Sequence, residues 1–466
     1  MAGEGARMLH EEILGGVARG ARIADEAGET TGAALLEEAW RAAAALREAG
    51  AGPWEPVILP VSNRATDLGA MLGAMAAGCV AVPLSRAAAP ATREAALSLV
   101  RPRFALDLAA VEPLARIGEA PPPARPLLEG AALVIFTSGS TGAPKGVVIG
   151  AEGFRGKLAQ IEARLGWAPG GRTILPLQLT FIFGQWVAFL TLMRGGSLNL
   201  VGRFDPAAMR AALAAGEAEA LAAVPTMLRA MLAAGGEPVP APLLLMTGGE
   251  TLSPALGAAL SAAFPAARIA DLYGLSETNG CDFFNEGRHF ITNLGTLGEV
   301  APGQEARIDA ATGELLIRTP YLMRGYLDRP DLTAAALADG WLRTGDMAEI
   351  AASGAVRLVG RLKELINRGG NKVAPMEVEA AFAAHPGIAA CLATGAADAA
   401  RGEAIHLLVV PAPGASPDPA ALRDWARGRL EPWKLPDRIH IGEAIPLGPT
   451  GKADRLGLRR RIEAEA

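Results

Sequence analysis

A loop of small, hydroxylated residues carries the clearest chemistry in this chain. It reads Thr137-Ser-Gly-Ser-Thr-Gly-Ala-Pro-Lys-Gly146 and directly follows an apolar stretch, Ala131–Phe136. Backbone N–H groups, hydroxyls and a lysine that converge after a buried strand are suited to bind an oxyanion such as a phosphate. The loop is not a Walker A motif, because its lysine follows a proline and precedes a glycine instead of Ser or Thr. Its nucleotide chemistry therefore belongs to another class.

Further motifs rich in glycine and polar residues follow along the chain. In order they are Gly248-Gly-Glu250, Tyr273-Gly-Leu-Ser-Glu-Thr278, Trp341-Leu-Arg-Thr-Gly-Asp346, Gly360-Arg-Leu-Lys363 with the adjoining Ile366-Asn-Arg-Gly-Gly-Asn-Lys-Val-Ala-Pro375, and Pro446-Leu-Gly-Pro-Thr-Gly-Lys452. Any one of them alone is weak evidence. Together with the first loop, in this order and across nearly the whole chain, they resemble the adenylate-forming superfamily, which includes acyl-CoA synthetases, luciferases and peptide-synthetase adenylation domains.

The resemblance implies two half-reactions. A carboxylate attacks the α-phosphorus of ATP and expels pyrophosphate, which gives an acyl-adenylate. A thiol, that of CoA or of a carrier-protein phosphopantetheine, then takes the acyl group and releases AMP. Because ATP and the acid are both anions and the transition state gathers charge on phosphate oxygens, fixed donors aimed at those oxygens contribute most.

The first loop and the second half of the Tyr273–Thr278 motif are implied to hold the triphosphate. Glu277 is expected to bind Mg²⁺, since one carboxylate together with phosphate oxygens suits that ion. Thr137 is grouped with the catalytic residues. The β- and γ-phosphates are assigned to Ser138, Ser140, Thr141 and Lys145, and Gly139 and Gly142 of the same loop are also expected to bind ATP.

The adenosine end is implied to be bound by residues from three motifs. Tyr273 stacks on adenine, Asp271 or a nearby backbone group meets the exocyclic amine, and Asp346 accepts from both ribose hydroxyls. Arg361 supports the ribose or the phosphates. The other residues expected to contact ATP or AMP are Gly248, Gly249, Glu250, Leu272, Gly274 and Ser276.

Lys452 is expected to be the principal catalytic residue of the first half-reaction. It lies in a loop rich in Gly and Pro, and the resemblance implies that its ammonium bridges the attacking carboxylate and the α-phosphate. Lys363 falls at the family's hinge position. Rotation of a small C-terminal domain about it would replace Lys452 by the 367–373 loop, where Gly369 and Gly370 let pantetheine approach the backbone closely.

The acyl pocket is predicted from the segment Thr180-Phe-Ile-Phe-Gly-Gln-Trp186 and from Val224. Adenylation domains that select α-amino acids place an aspartate where Gly184 stands here, and a buried ammonium without a counter-charge is costly. A substrate without an α-amine is therefore expected. Phe181, Phe183 and Trp186 suggest an apolar or aromatic-lined cavity, although ordinary core packing explains them equally well. Arg288 or His289 could meet a second substrate charge, but a solvated loop is the simpler interpretation.

Composition excludes several other classes of protein. The chain has 466 residues, half of them apolar, and a net charge of -5, which disfavours a nucleic-acid partner. Its three cysteines have no metal-ligand spacing, so a reducing, cytoplasmic setting is expected. We find neither a signal peptide nor an apolar run long enough to span a membrane.

The hydrophobic pattern alternates between strands and helices. Strands are predicted at 57–61, 79–84, 173–177, 197–201, 243–246 and 268–272, and helices at 32–49 and 65–77. This indicates an α/β fold whose large N-terminal domain has doubly wound, mostly parallel sheets and a smaller β subdomain. After residue 295 the pattern changes to alternating strands bounded by glycines, at 314–318 and 355–359, which is typical of antiparallel pairs. A small, mobile α+β domain follows, with helices at 376–384 and 419–430 and a strand at 405–410. The predicted boundary separates residues 1–361 from 362–466.

Three functions remain open from the sequence. The leading one is an AMP-forming acid–thiol ligase that acts on a medium-sized aliphatic or aromatic carboxylic acid, with ATP, Mg²⁺ and CoA. The second is a free-standing adenylating enzyme that loads a separate acyl carrier protein. The third is a non-catalytic protein that binds a nucleotide or acyl group, against which Lys452 and Glu277 argue.

Overall fold

The computed structural model describes residues 2–119, 125–138, 144–351, 353–448 and 453–465, except for the side chains of 2–8 and 138. Five predicted site residues therefore lie outside the described residues, namely Gly139, Ser140, Thr141, Gly142 and Lys452. Their roles stay predictions.

Helices occur along the whole length of the described chain. In chain order the α-helices are α1 (Ala2–Val17), α2 (Gly32–Glu48), α3 (Ala65–Ala76), α4 (Pro90–Val100), α5 (Ala151–Leu165), α6 (Ile182–Met193), α7 (Pro206–Ala214), α8 (Pro225–Ala233), α9 (Pro254–Ala263), α10 (Pro330–Ala336), α11 (Pro375–Ala383), α12 (Pro419–Arg427) and α13 (Arg455–Glu465).

The described strands fall into four sheets. Those before residue 301 are β1 (Arg22–Asp25), β2 (Gly28–Thr31), β3 (Pro56–Val61), β4 (Val80–Ser85), β5 (Phe104–Leu106), β6 (Leu114–Arg116), β7 (Ala131–Ser138), β8 (Pro144–Gly150), β9 (Arg172–Leu175), β10 (Ser197–Leu200), β11 (Ala220–Ala223), β12 (Leu243–Gly248), β13 (Ala267–Tyr273), β14 (Phe283–Glu286) and β15 (Glu299–Val300). The later ones are β16 (Glu305–Ile308), β17 (Glu314–Arg318), β18 (Gly325–Tyr326), β19 (Leu337–Ala338), β20 (Trp341–Ile350), β21 (Val356–Arg361), β22 (Ile366–Arg368), β23 (Asn371–Val373), β24 (Ile388–Asp398), β25 (Gly402–Pro411) and β26 (Arg438–Ile441).

Two large sheets form the body of the protein. Within the described residues one has the order β18-β8-β7-β4-β3-β5-β6, and the other has the order β15-β14-β13-β12-β11-β9-β10-β1-β2. Their central strands are parallel. Such strands are covered on both faces, which is why runs such as Val80–Leu84 are apolar and buried throughout.

Helices α2 and α3 pack against each other with little space between their backbones. A Cβ at Gly73 would lie 2.6 Å from the Cβ of Ala42, so only glycine allows this approach. The hydroxyl of Thr31 accepts from the Ala34 N–H and caps the first turn of α2. Small residues and a defined cap thus place this helix pair against the parallel core.

Two smaller, mainly antiparallel sheets complete the fold. One joins β16, β17, β20 and β19, with β21 beside β20, and the other joins β23, β22, β25 and β24, with β26 parallel to β25. The predicted α/β fold class is confirmed. All described strands of the last sheet lie between residues 366 and 441, and the domain boundary proposed near residues 361–363 stays a prediction.

The predicted helices and strands agree with the structure where the hydrophobic pattern is strong. The sequence did not indicate how several strands pair. The helix predicted at 32–49 is α2, and the strand predicted at 57–61 is β3. Strands β7 and β8 pair antiparallel as a β-hairpin, whose described residues end at 138 and resume at 144 on either side of the predicted phosphate loop. The long strand β24 was not predicted, because its Ala-rich sequence does not alternate.

Candidate active site

The β7–β8 hairpin carries the two ends of the predicted phosphate loop. Thr137 pairs with Lys145 across the hairpin, so both face the same region from opposite strands. The Lys145 ammonium lies 5.2 Å from the centre of the Tyr326 ring. Lys145 is half-buried, which leaves its charge near the surface where an anion can reach it. The hairpin therefore presents a cation beside an aromatic ring at the mouth of the loop.

Tyr326 connects this lysine to the predicted metal ligand. Its hydroxyl donates to Glu277 Oε1 at 2.7 Å. Burial, and then the neighbouring Glu277 charge, raise the pKa of Tyr326, so the hydroxyl keeps its proton. The backbone N–H of Met323 donates to the Glu277 carbonyl at 2.7 Å and fixes the turn from below. Tyr326, which was not predicted, thus lies between Lys145 and Glu277, the residues predicted to contact the triphosphate and its Mg²⁺.

The donor set around Glu277 fits a cation that shares its ligands with phosphates. Among the described residues no three His, Cys, Asp or Glu side chains are grouped so that they could hold a metal by themselves. A single carboxylate near a phosphate-binding hairpin is the arrangement that suits Mg²⁺ bound mainly through a nucleotide. Glu277 is the residue that would hold the ion.

One contiguous cluster contains Asp346 and Arg361, predicted near the ribose, and Tyr273, predicted to stack on adenine. Asp346 is buried, and its two carboxylate oxygens take one partner each: the Tyr273 hydroxyl at 2.7 Å and Arg361 Nε at 2.8 Å. Asp346 and Arg361 face each other across β20 and β21. Burial and the Asp346 charge raise the pKa of Tyr273 well above its usual value. A carboxylate has about four acceptor positions, so two remain for a pair of hydroxyls.

Asp271 lies in the middle of a polar row that crosses three strands. It pairs with Thr247 of β12 on one side and with Asn285 of β14 on the other. Burial raises the pKa of Asp271 to about 7, against the opposing effect of the Leu272 N–H. In its protonated form this carboxyl is both a donor and an acceptor, which matches the two-sided edge of an adenine.

The glycines around Tyr273 are required by close backbone contacts. A Cβ at Gly248 would lie 2.4 Å from the Leu272 carbonyl oxygen, and a Cβ at Gly274 would lie 2.3 Å from the Cys281 nitrogen. Leu272 itself is buried in the core. Ser276 opens the short turn that carries Glu277. These residues shape the backbone of the predicted nucleotide site.

Glu250 is positioned toward a helix start. Its Oε2 accepts from the Thr226 N–H at 3.1 Å and from the Thr226 hydroxyl at 2.7 Å, and so it caps the first turn of α8. Gly249 has a φ of +79° and makes the turn that directs this side chain. Val224 immediately precedes the same helix. Glu250 therefore links the Gly248–Glu250 motif to the predicted acyl pocket.

An aromatic wall lines the start of α6. Phe183 stacks on Trp186 with ring centres 5.1 Å apart and planes inclined by 16°. Trp186 is fully buried and meets Trp167 edge-on at 6.1 Å. Phe181 is the N-cap residue of α6 and, like Phe183, is partly exposed. Trp186 is thus the rigid backing, and the two phenylalanines are the rings that can meet a ligand.

Gly184 has a reason to be glycine that the sequence did not reveal. A Cβ at this position would lie 2.4 Å from the Gln178 carbonyl oxygen. A side chain here would therefore collide with the backbone. The position cannot present an aspartate to a substrate without a change in the preceding loop.

The predicted pantetheine loop is the turn of the β22–β23 hairpin. Gly369 and Gly370 have φ of +59° and +86°, which is typical of a tight two-residue hairpin turn. Among the described residues nothing lies within 4 Å of a Cβ built at Gly370. Arg368 anchors the hairpin through two bonds to Asp437, at 2.9 and 2.6 Å. The turn is held at its base and open at its tip.

The hinge and the end of the Lys452 loop meet through one arginine. Lys363 lies in the short turn Leu362–Glu364. Arg455 bonds Glu364 at 3.2 Å and also contacts Glu379. Leu447 and Ala453 form a β-bridge that closes the loop containing Lys452, which itself lies outside the described residues.

Arg288 and His289 bond each other in an exposed turn.

Two family models and several curated proteins are similar to this chain. A family model described as AMP-binding enzyme matches residues 17–327, and one described as AMP-binding enzyme C-terminal domain matches residues 377–452. A feruloyl-CoA synthase from Amycolatopsis is 31% identical over 93% of this chain and 94% of its own length. A fatty acid–[acyl-carrier-protein] ligase, ScoC, from Streptomyces coeruleorubidus is 32% identical over 70% of this chain and 67% of its own length.

Solved structures share the fold of this chain over nearly its whole length. The amide bond synthetase McbA from Marinactinospora thermotolerans superimposes with a TM-score of 0.84 at 27% identity, and the match covers 98% of this chain and 99% of that one. No helix among the described residues is long and apolar enough to cross a membrane.

Proposed function

We propose that this chain, which belongs to the AMP-binding enzyme family and is an AMP-forming acid–thiol ligase, acts on an aromatic carboxylic acid without an α-amine. The observation that carries this proposal is the partly exposed ring of Phe183, which stacks on the buried Trp186 at the predicted acyl pocket. No residue from 180 to 186 is acidic, so an ammonium would find no partner in this segment. The similarity to feruloyl-CoA synthases supports the same class of acid.

The first half-reaction joins the acid to ATP. We assign the β- and γ-phosphates to the 137–146 loop with Lys145, the ribose to Asp346 and Arg361, and the adenine edge to Asp271. A Mg²⁺ ion held by Glu277 would neutralise charge on the phosphates. Lys452 would donate to the carboxylate and the α-phosphate as the new bond forms, which is the form of electrostatic stabilisation that acts most strongly in a dry site.

The second half-reaction passes the acyl group to a thiol. We propose CoA as the acceptor, with its pantetheine running over the Gly369–Gly370 turn, whose tip is open among the described residues. Residues 362–466 would rotate about Lys363 to exchange Lys452 for this turn. The relatives include a ligase for a carrier protein, so an acyl carrier protein is the alternative acceptor.

A panel of acids tests the substrate class. ATP–pyrophosphate exchange should be fastest with aryl and arylpropenoic acids and slow with amino acids and short aliphatic acids. Phe183→Leu removes the ring but keeps an apolar side chain, so it should weaken the preference for aromatic acids by about 2- to 10-fold, the worth of one aromatic contact. Equal exchange with straight-chain acids, unchanged by Phe183→Leu, would contradict the proposal.

A further inference from the structure

A fully buried ion pair lies directly behind the turn that carries Glu277. Lys157 of α5 places its ammonium 3.0 Å from Asp282 Oδ1, and neither side chain is exposed to solvent. Taking both charges out of water is costly, and a well-packed apolar pair would often be as stable or more so. Such a pair therefore calls for a role other than stability.

The pair is embedded in a saturated set of hydrogen bonds. Lys157 also donates to the Cys281 carbonyl at 3.0 Å. The amide of Gln304, in the orientation that satisfies both charges, lies 2.7 Å from the ammonium and 2.8 Å from the Asp282 carboxylate. The second carboxylate oxygen accepts from the Thr278 hydroxyl. Burial raises the pKa of Asp282, and Lys157 and Thr278 act against that rise.

These bonds define the conformation of the turn. Thr278 is the residue after Glu277, and its hydroxyl oxygen also accepts from the Leu275 N–H at 3.3 Å. The Asp282 N–H donates to the Tyr273 carbonyl at 2.7 Å and closes the neck of the loop. The Asp282–Tyr273 hydrogen bond therefore joins the two ends of the 273–282 segment, and the Thr278–Asp282 hydrogen bond holds its middle. The second of these bonds depends on Lys157, which orients the Asp282 carboxylate.

One face of α5 is shaped to receive this turn. Gly153, Gly156, Lys157 and Gln160 follow the i, i+3, i+4, i+7 spacing of a single helix face. A Cβ at Gly156 would lie 2.6 Å from the Tyr321 ring, which instead covers the Lys157 ammonium at 5.3 Å. Gly156 lets Tyr321 approach the helix, and Lys157 reaches between Tyr321 and the turn.

We propose that Lys157 is a positioning residue, whose ion pair with Asp282 holds the turn so that Glu277 meets the Mg²⁺ of bound Mg·ATP. The proposal rests on the proposed role of Glu277. Lys157 itself touches neither nucleotide nor metal and acts through Asp282 and Thr278. Removal of the ion pair should therefore specifically weaken the Mg²⁺-dependent binding of the nucleotide.

The double variant Lys157→Met/Asp282→Leu tests this, because it replaces both charges by apolar groups and leaves no unpaired charge. We expect a Tm close to that of the unsubstituted protein. We expect the Mg²⁺ concentration that half-saturates binding of α,β-methylene-ATP, measured by calorimetry, to rise about tenfold, the usual cost of losing a partner that orients a metal ligand. The single variant Lys157→Met strands a buried carboxylate and should lower the Tm by roughly 5 °C.

A matched pair elsewhere supplies the control. Arg103 and Glu55 form another buried ion pair, 2.6 Å apart, on the other large sheet. Arg103→Met/Glu55→Leu should leave the half-saturating Mg²⁺ concentration unchanged. If the Lys157/Asp282 double variant also leaves it unchanged, the proposal is overturned and the pair is structural.

Two further variants keep the test decisive. Should the double variant fail to fold, Thr278→Val keeps the side-chain volume and removes the hydroxyl that ties the turn to Asp282. It should raise the half-saturating Mg²⁺ concentration and, because one buried carboxylate oxygen loses its donor, lower the Tm by roughly 1–4 °C. An unchanged Mg²⁺ concentration would overturn the proposal. Glu277→Gln tests the role of Glu277 separately from that of Lys157. If this substitution has no effect on the Mg²⁺ dependence, the proposed role of Glu277 is wrong, whatever the Lys157 variants show.

Discussion

The carboxyl group of Asp271 should make the stability of the protein depend on pH in a predictable direction. Burial raises its pKa from 3.8 to about 7 in the folded state. Between these two values the folded protein holds a proton that the unfolded chain has released. Its contribution to the free energy of unfolding is therefore complete below pH 3.8 and is lost as the pH rises through 7.

The size of the effect follows from the same shift. A change of about 3 units in pKa corresponds to about 4 kcal/mol in total, of which about 3 kcal/mol is lost between pH 5 and pH 8. Unfolding entropy of about 2.1 cal/mol/K per residue over a domain of roughly 360 residues converts this loss into about 3–4 °C in Tm. Asp271→Asn cannot titrate and should escape the loss.

Thermal unfolding of the two proteins at constant ionic strength measures the effect. The Tm of Asp271→Asn minus that of the unsubstituted protein should rise by about 3–4 °C from pH 5 to pH 8. Arg329 lowers the pKa of Asp331 to about 2, so Asp331→Asn serves as a control whose Tm difference stays constant in this range. A constant difference for Asp271→Asn as well would refute a buried, protonated carboxyl.

Three other substitutions probe the proposed site. Lys452→Ala should lower ATP–pyrophosphate exchange at least 100-fold, as loss of a charge-stabilising donor does, while calorimetry still detects ATP binding; full exchange would exclude Lys452 from the first half-reaction. Gly370→Ala has space for its methyl group but a φ of +86°, so thioester formation should fall more than adenylation, and equal losses in single-turnover assays of both steps would argue against pantetheine at this turn. Gly184→Asp should destabilise the protein by about 1–3 kcal/mol in thermal unfolding, because its Cβ meets Gln178, and should not admit amino acids in the exchange assay.

Those parts of the fold that a local pattern encodes could be predicted from the sequence. The apolar run that became β4 and the periodic stretch that became α2 needed no knowledge of distant residues. The β7–β8 hairpin could not be distinguished from a loop between a strand and a helix. The sequence of the loop is compatible with both, and the pairing of β8 with β7 is decided by contacts along the two strands and not by the loop.

The site was predictable as motifs but not as contacts. Asp346, Tyr273 and Arg361 were each identified, and the structure brings them together. Tyr326 was missed because 49 residues separate it from Glu277 and nothing in its own surroundings indicates a hydrogen bond.

The Lys157–Asp282 pair was missed for the same reason, at a separation of 125 residues. A lysine within a helix reads as a solvated residue until the fold shows what lies against it. The two neighbouring glycines on that helix were the available signal, since they mark a face approached closely by another segment.

The most direct test of the central claim follows both half-reactions with one aromatic acid. The protein is incubated with ATP, Mg²⁺ and an arylpropenoic acid, and acyl-adenylate, AMP and thioester are measured with and without CoA. We predict acyl-adenylate without CoA, and stoichiometric acyl-CoA and AMP with it. Adenylate that persists in the presence of CoA, and is consumed only when a phosphopantetheinylated carrier protein or an amine is added, would contradict the assignment as an acyl-CoA ligase.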